Sequence, residues 1–137
     1  MPEQGRVLHA GEAEGELLVL DAPLSFWGGL DPATGIVIDR RHPQCGSSVA
    51  GRILALPGGR GSSSSSTVLA EAIRAGTAPA AILLGDVDEI IVLGALVAAE
   101  LYGLAVPVLV LEARTFAALR TSGQARVLRD GTVLRND

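Results

Sequence analysis

Apolar residues along this chain follow two rhythms. Strand-like, mostly apolar runs at residues 52–56, 80–84 and 106–111 are bounded by Gly and Pro, as strands are. The second of these follows Pro79 and has no polar position, so it predicts a strand buried on both faces. Residues 67–75 instead place Val68, Leu69, Ala72 and Ile73 on one helical face, with Gly76 as a stop. Asp86 and Glu89 have capping-box spacing and open a second helix, expected to run to about Tyr102 and end at Gly103.

Shorter elements flank this core. Residues 6–9 and 16–20 read as strands separated by a turn region at 11–15. A further strand at 36–38 follows the bend Asp31-Pro32-Ala33-Thr34-Gly35. Residues 115–120 predict a short helix. Strands at 125–128 and 132–134 flank Asp130-Gly131, a two-residue hairpin signal. The order is β-rich, then β-α-β-α-β, then a hairpin. It predicts one compact α/β domain over residues 1–137, of the β/β/α kind, with a mixed or parallel central sheet. The helices would cover one face and the remaining strands would form another layer.

Composition narrows the function classes. The net charge is −4 and no basic cluster occurs, which argues against a nucleic-acid footprint. One Trp, one Tyr and two Phe leave little to stack on bases. A lone Cys45 excludes an internal disulfide and any metal site built from this chain's thiolates alone. It fits a reducing, cytoplasmic setting. The first nine residues lack a secretory-leader pattern, and the apolar stretch 90–110 is broken by Glu100, Gly103 and Pro107.

The densest candidate chemistry is Pro57-Gly58-Gly59-Arg60-Gly61-Ser62-Ser63-Ser64-Ser65-Ser66, between a predicted strand and a predicted helix. Such a turn aims backbone N–H groups and a positive helix end at one point. The glycines allow positive φ and close approach to a ligand, and Arg60 offers a fork for carboxylate or phosphate. Capping by Ser65 or Ser66 explains one or two serines, but not five beside an arginine. Ser62, nearest Arg60, is the candidate base, because nearby N–H groups and a cation lower a hydroxyl pKa. The segment is neither a G-x-S-x-G elbow nor a Walker A loop, since the chain has no lysine.

A second polar loop is Asp39-Arg40-Arg41-His42-Pro43-Gln44-Cys45-Gly46-Ser47-Ser48. Its arginines and His42 suit an anion or a partner. Equally, they suit a solvated loop with Asp39 paired to an arginine. Cys45 is expected to be a small, buried or half-buried residue, and Trp27 a core aromatic or a rim contact.

Several blocks, in order, carry a family resemblance. They are residues 28–35 (GGLDPATG), His42-Pro43, Gly46-x-Ser48-Val49-Ala50-Gly51, Gly59-Arg60-Gly61-Ser62 and residues 76–82 (GTAPAAI). Together they resemble the small subunit, or swivel domain, of aconitase X. The resemblance implies a mobile β/β/α domain docking on a larger catalytic subunit of a hydro-lyase. It implies that Ser62 is the proton acceptor, with Arg60, Gly61, Ser63 and Ser64 as substrate contacts. It also implies an iron–sulfur cluster on the large subunit, none being held by this chain. Two branches of the family act on different hydroxy acids, cis-3-hydroxy-L-proline and 5-phosphomevalonate. The serines after Ser62 and the lysine-free, Ala/Gly/Arg-rich composition point to the first, dehydrated to a pyrroline carboxylate. On this reading the chain is inactive by itself. The rival of another class is a non-enzymatic anion-binding interaction module.

Overall fold

The computed structural model describes residues 2–60 and 62–136. Its main sheet has eight strands in the order β1-β10-β9-β3-β6-β7-β8-β2. In chain order these are β1 (Glu3–Gln4), β2 (Arg6–His9), β3 (Ala13–Val19), β6 (Ile53–Leu56), β7 (Ala81–Leu84), β8 (Val108–Val110), β9 (Gln124–Val127) and β10 (Thr132–Asn136). A separate antiparallel pair, β4 (Leu30–Asp31) and β5 (Ile36–Val37), spans the predicted bend. There Gly35 takes φ 78° and donates its N–H to the Asp31 carbonyl.

The centre of the sheet is parallel: β3 pairs β6, β6 pairs β7 and β7 pairs β8. All eight residues of β6 and β7 are buried, as their unbroken apolar runs require. The period-two alternation then sends them to two cores. Leu54, Leu56, Ile82 and Leu84 face one, with Leu69, Ile73 and Ile91 from α2 (Ser65–Ala75) and α3 (Glu89–Tyr102). Ile53, Ala55, Ala81 and Leu83 face the other, with Ala125, Val127 and Val133 from the hairpin strands. Both helices lie on one face, and the hairpin side of the sheet folds over the second, as the element order predicted. The two end strands in the sheet order, β1 and β2, are consecutive in the chain. They join at Gly5, whose N–H bonds the Gly131 carbonyl, so the sheet is nearly closed.

α2 and α3 pack closely where Gly94 faces α2. A Cβ at Gly94 would press on the Ser66 carbonyl at 2.8 Å and the Leu69 side chain at 3.0 Å, so only glycine fits without a shift. Both helices end as predicted, on left-handed glycines at Gly76 and Gly103.

Other local expectations are corrected. The second helix is capped by Asp88, not Asp86, because the chain first makes a bend at 85–86. β3 absorbs residues 13–15 of the predicted turn region, since Ala13–Glu16 pair with β9, and leaves Gly11 and Glu12 in the connection. The short helix is α4 (Ala113–Ala117), ahead of the predicted 115–120. The hairpin turn has three residues, Arg129-Asp130-Gly131, closed by Gly131 N–H to the Leu128 carbonyl with Gly131 at φ 92°. Asp130 Oδ1 accepts the Thr132 N–H. The Thr132 side chain, and next this backbone bond, hold its carboxyl below the usual range. Cys45 is exposed, and Trp27 is 59% exposed beside the buried Phe26.

Candidate functional site

The parallel strands carry their chains toward one end of the sheet, where open α/β sheets place their ligand clefts. Four segments meet there: the extension of β3 through Leu20–Ser25, the serine turn after β6, the start of α3, and a tight, non-helical turn at Phe26–Gly29, labelled α1. Leu24 runs beside Gly59 in a parallel bridge and donates its N–H to the Gly58 carbonyl. Together they form a cleft of about 230 Å³ lined by Leu24, Phe26, Gly59, Arg60, Ser62, Ser65, Asp88, Ile90 and Ile91. Its back wall is apolar, and Arg60 and Ser62 are exposed at its mouth.

The serine turn organises itself. Ser62 Oγ accepts the Ser64 N–H at 3.0 Å, and the Ser62 carbonyl accepts the Ser65 N–H. The N–H groups of Ser66 and Thr67 donate to the carbonyls of Ser63 and Ser64. The four N–H groups from Ser64 to Thr67 are therefore engaged, and the start of α2 does not present them as an anion cradle. Neither Ser65 nor Ser66 caps the helix. Ser64 stands at the N-cap without a side-chain cap bond. Ser65 is buried at 6% exposure and accepts the Trp27 N–H at 3.0 Å. Ser66 Oγ donates to the Ser63 carbonyl at 2.8 Å.

The side chain that fastens the turn is Asp88. Its Oδ1 accepts the N–H groups of Ile90 and Ile91 and so caps α3. Its Oδ2 accepts the Gly59 N–H at 2.8 Å across the cleft floor. Any Cβ on Gly59 would collide with this carboxylate. Neither Gly58 nor Gly59 has positive φ. Gly59 is thus explained by the approach of Asp88, not by a ligand or a left-handed backbone. Sequence reasoning missed Asp88 because it took Asp86 for the cap. The available signal was Asp88 directly before Glu89 and the apolar run, the N-cap position itself.

The structure brings Arg60 and Ser62 together on one cleft. Ser63 and Ser64 are exposed beside it but do not line it. Gly61, expected as a substrate contact, lies outside the described residues. The 39–48 loop reaches the same end. Asp39 Oδ1 accepts the backbone N–H of Arg41 and no guanidinium. His42 is buried: its Nδ1 accepts the Gln44 N–H, so Nε2 carries the proton and donates to the Ala22 carbonyl at 3.0 Å.

The model of the aconitase X swivel domain matches residues 3–135. This chain belongs to the aconitase X swivel-domain family. The swivel domain is 57% identical over 103 residues to cis-3-hydroxy-L-proline dehydratase of Pseudomonas aeruginosa, covering 75% of this chain and 18% of that protein. It is 46% identical over 98 residues to the phosphomevalonate dehydratase small subunit of Thermococcus onnurineus, covering 72% of this chain and 75% of that one. It thus spans under a fifth of the length of the first relative and three quarters of the second. Its fold matches the crystal structure of Thermococcus kodakaraensis aconitase X in its holo-form. The TM-score is 0.88 at 36% identity, over 100% of this chain and 99% of that one. A UPF0107 protein solved by solution NMR matches with TM-score 0.86 at 37% identity over the full length of both chains. No helix among the described residues is long and apolar enough to cross a membrane.

Proposed function

We propose that this swivel domain supplies the base-bearing half of a hydro-lyase active site and works only when closed on a larger catalytic subunit, as a heterodimer or higher assembly. The observation that carries the reading is the shared cleft of Arg60 and Ser62, an exposed hydroxyl and an exposed guanidinium at the carboxyl end of β6. Ser62 takes the proton from the carbon next to the substrate carboxylate. The C–H electron pair becomes the new C=C bond as the C–O bond to the departing hydroxide breaks. The proton ends on Ser62 Oγ. The Ser64 N–H already directed at that oxygen stabilises it as an alkoxide, which lowers the hydroxyl pKa. Arg60 pairs with the carboxylate. Gly61, Ser63 and Ser64 complete the contacts once the larger subunit covers the turn. Closure excludes water and completes the site, which explains why the half presented here is shallow and open.

The iron–sulfur cluster implied by the family does not fit this chain. The chain has one cysteine, and no group of three or more metal-ligating side chains occurs among the described residues. We place the cluster on the larger subunit. The free thiol of Cys45 accords with a reducing, cytoplasmic setting for the assembly.

The substrate assigned is cis-3-hydroxy-L-proline, supported by the 57% identity to a dehydratase of that name. A second reading, (R)-5-phosphomevalonate, is favoured by the coverage of small-subunit relatives over most of their length. The two are separated by assaying the assembled enzyme on both hydroxy acids. Turnover of hydroxyproline with loss on Ser62→Ala is expected. A preference for the phosphate substrate would reassign the branch. Full activity of Ser62→Ala would remove Ser62 as base, and a chain that binds carboxylates but never engages a larger subunit would be an interaction module.

A further inference from the structure

A second cleft, of about 350 Å³, adjoins the first and shares Arg60 with it. It is lined by Ala22, Pro23, Ser25, Asp39, Arg41, His42, Pro43 and Arg60. Two guanidiniums therefore border one cavity from loops far apart in the chain. Three ion pairs occur among the described residues, to Arg52, Arg74 and Arg135, and neither Arg41 nor Arg60 takes part in one. Asp39 is the one carboxylate of the lining, and its Oδ1 is engaged by the Arg41 backbone N–H. His42 is held with Nδ1 as acceptor. The cleft thus carries one net positive charge, the complement of a monoanion.

Both arginines stand on fastened backbone. His42 binds the Ala22 carbonyl. Gln44 clasps Asp21 twice, its Oε1 accepting the Asp21 N–H at 3.0 Å and its Nε2 donating to Asp21 Oδ2 at 2.6 Å. The segment beneath Arg41 is thereby tied to the extension of β3. Arg60 follows Gly59, which Asp88 holds. Cations mounted this way lose little further freedom on gripping a ligand.

We propose that Arg41 is a second substrate-binding residue, and that Arg41 and Arg60 together hold the substrate carboxylate across the junction of the two clefts. The proposal rests on the dehydratase reading and extends it. As C–H cleavage runs ahead of C–O cleavage, part of the negative charge of the C–H electron pair falls on the carboxylate oxygens. One guanidinium balances the ground state, and the second stabilises the charge that appears only as Ser62 takes the proton.

Two measurements decide it. The isotope-labelled chain is titrated by NMR with acetate and, separately, with inorganic phosphate. The expected result is acetate-dependent, saturable shifts of the Arg41 and Arg60 Nε–H signals, absent from Arg74 and weakened about tenfold or more in affinity at Arg60 by Arg41→Ala. Equal shifts at every arginine, no shift at Arg41, or a response to phosphate alone would overturn the proposal. In the assembled enzyme, Arg41→Ala is expected to lower kcat/KM by about 10- to 100-fold, while Arg74→Ala changes nothing. Undiminished kcat/KM in Arg41→Ala would also overturn it. If the wild-type assembly dehydrates neither hydroxy acid, the dehydratase reading falls while the acetate titration still decides the carboxylate clamp.

Discussion

Two helices start side by side at the cleft end of this domain, and they start differently. A run of five serines leads into α2, yet no side chain caps it; its first N–H groups close on neighbouring carbonyls. α3 follows an ordinary-looking segment, yet Asp88 caps it with two bonds and fastens the neighbouring turn with a third. Hydroxyl abundance is therefore a poor guide to capping. One carboxylate caps α3 and anchors the turn that leads to α2, while the Ser62 hydroxyl, accepting the Ser64 N–H, stands at the mouth of the cleft.

The comparison can be broken by experiment. The largest effect is expected from Ser62→Ala, lowering kcat of the assembled enzyme by about 10²- to 10⁴-fold. Its unfolding free energy should stay within about 0.5 kcal/mol of wild type, as for an exposed side chain. A matching loss of stability would make Ser62 structural. Next comes Asp88→Ala, which removes a cap and orphans the Gly59 N–H. Urea unfolding should show a loss of about 2–3 kcal/mol. Asp88→Asn keeps one acceptor oxygen but turns an NH₂ group toward Gly59, so it should recover only the cap, about 1 kcal/mol.

Gly59→Ala should cost about 1–3 kcal/mol through overlap with the Asp88 carboxylate. In an Asp88→Ala background most of that cost should vanish, a coupling of about 1 kcal/mol or more in a double-mutant cycle. Additive losses would mean that the two residues do not meet. Ser65→Ala should cost about 1 kcal/mol, through the lost acceptor for Trp27 N–H. Smallest of all, Ser63→Ala and Ser64→Ala should move thermal stability by no more than about 0.5 kcal/mol.

Much of the fold was legible because local signals agreed with it. Apolar runs ending at Leu56 and Leu84 marked the buried strands, and Gly76 and Gly103 marked the helix ends. Arg60 and Ser62 could be placed on one site from the strand-turn-helix order alone. What escaped depends on contacts between distant residues. No local pattern says that Gly59 is glycine because residue 88 presses on it, or that residues 3–4 pair with residues 132–133. The core reading of Trp27 failed for a related reason. An aromatic in a sparsely aromatic chain suggests the core, but Phe26 beside it fills that place and turns the indole outward. One of the two readings of the 39–48 loop paired Asp39 with a guanidinium; it meets instead a backbone N–H two residues away, the shorter reach for a short side chain.

The joining of β1 and β2 at Gly5 has a mechanical meaning. Both margins of the main sheet belong to one continuous stretch of backbone, so the sheet offers little open ladder for a neighbour to extend. Any larger body that meets this domain must then do so through side chains and turns, without merging main chains. Such a contact can be released and remade without unzipping a single strand.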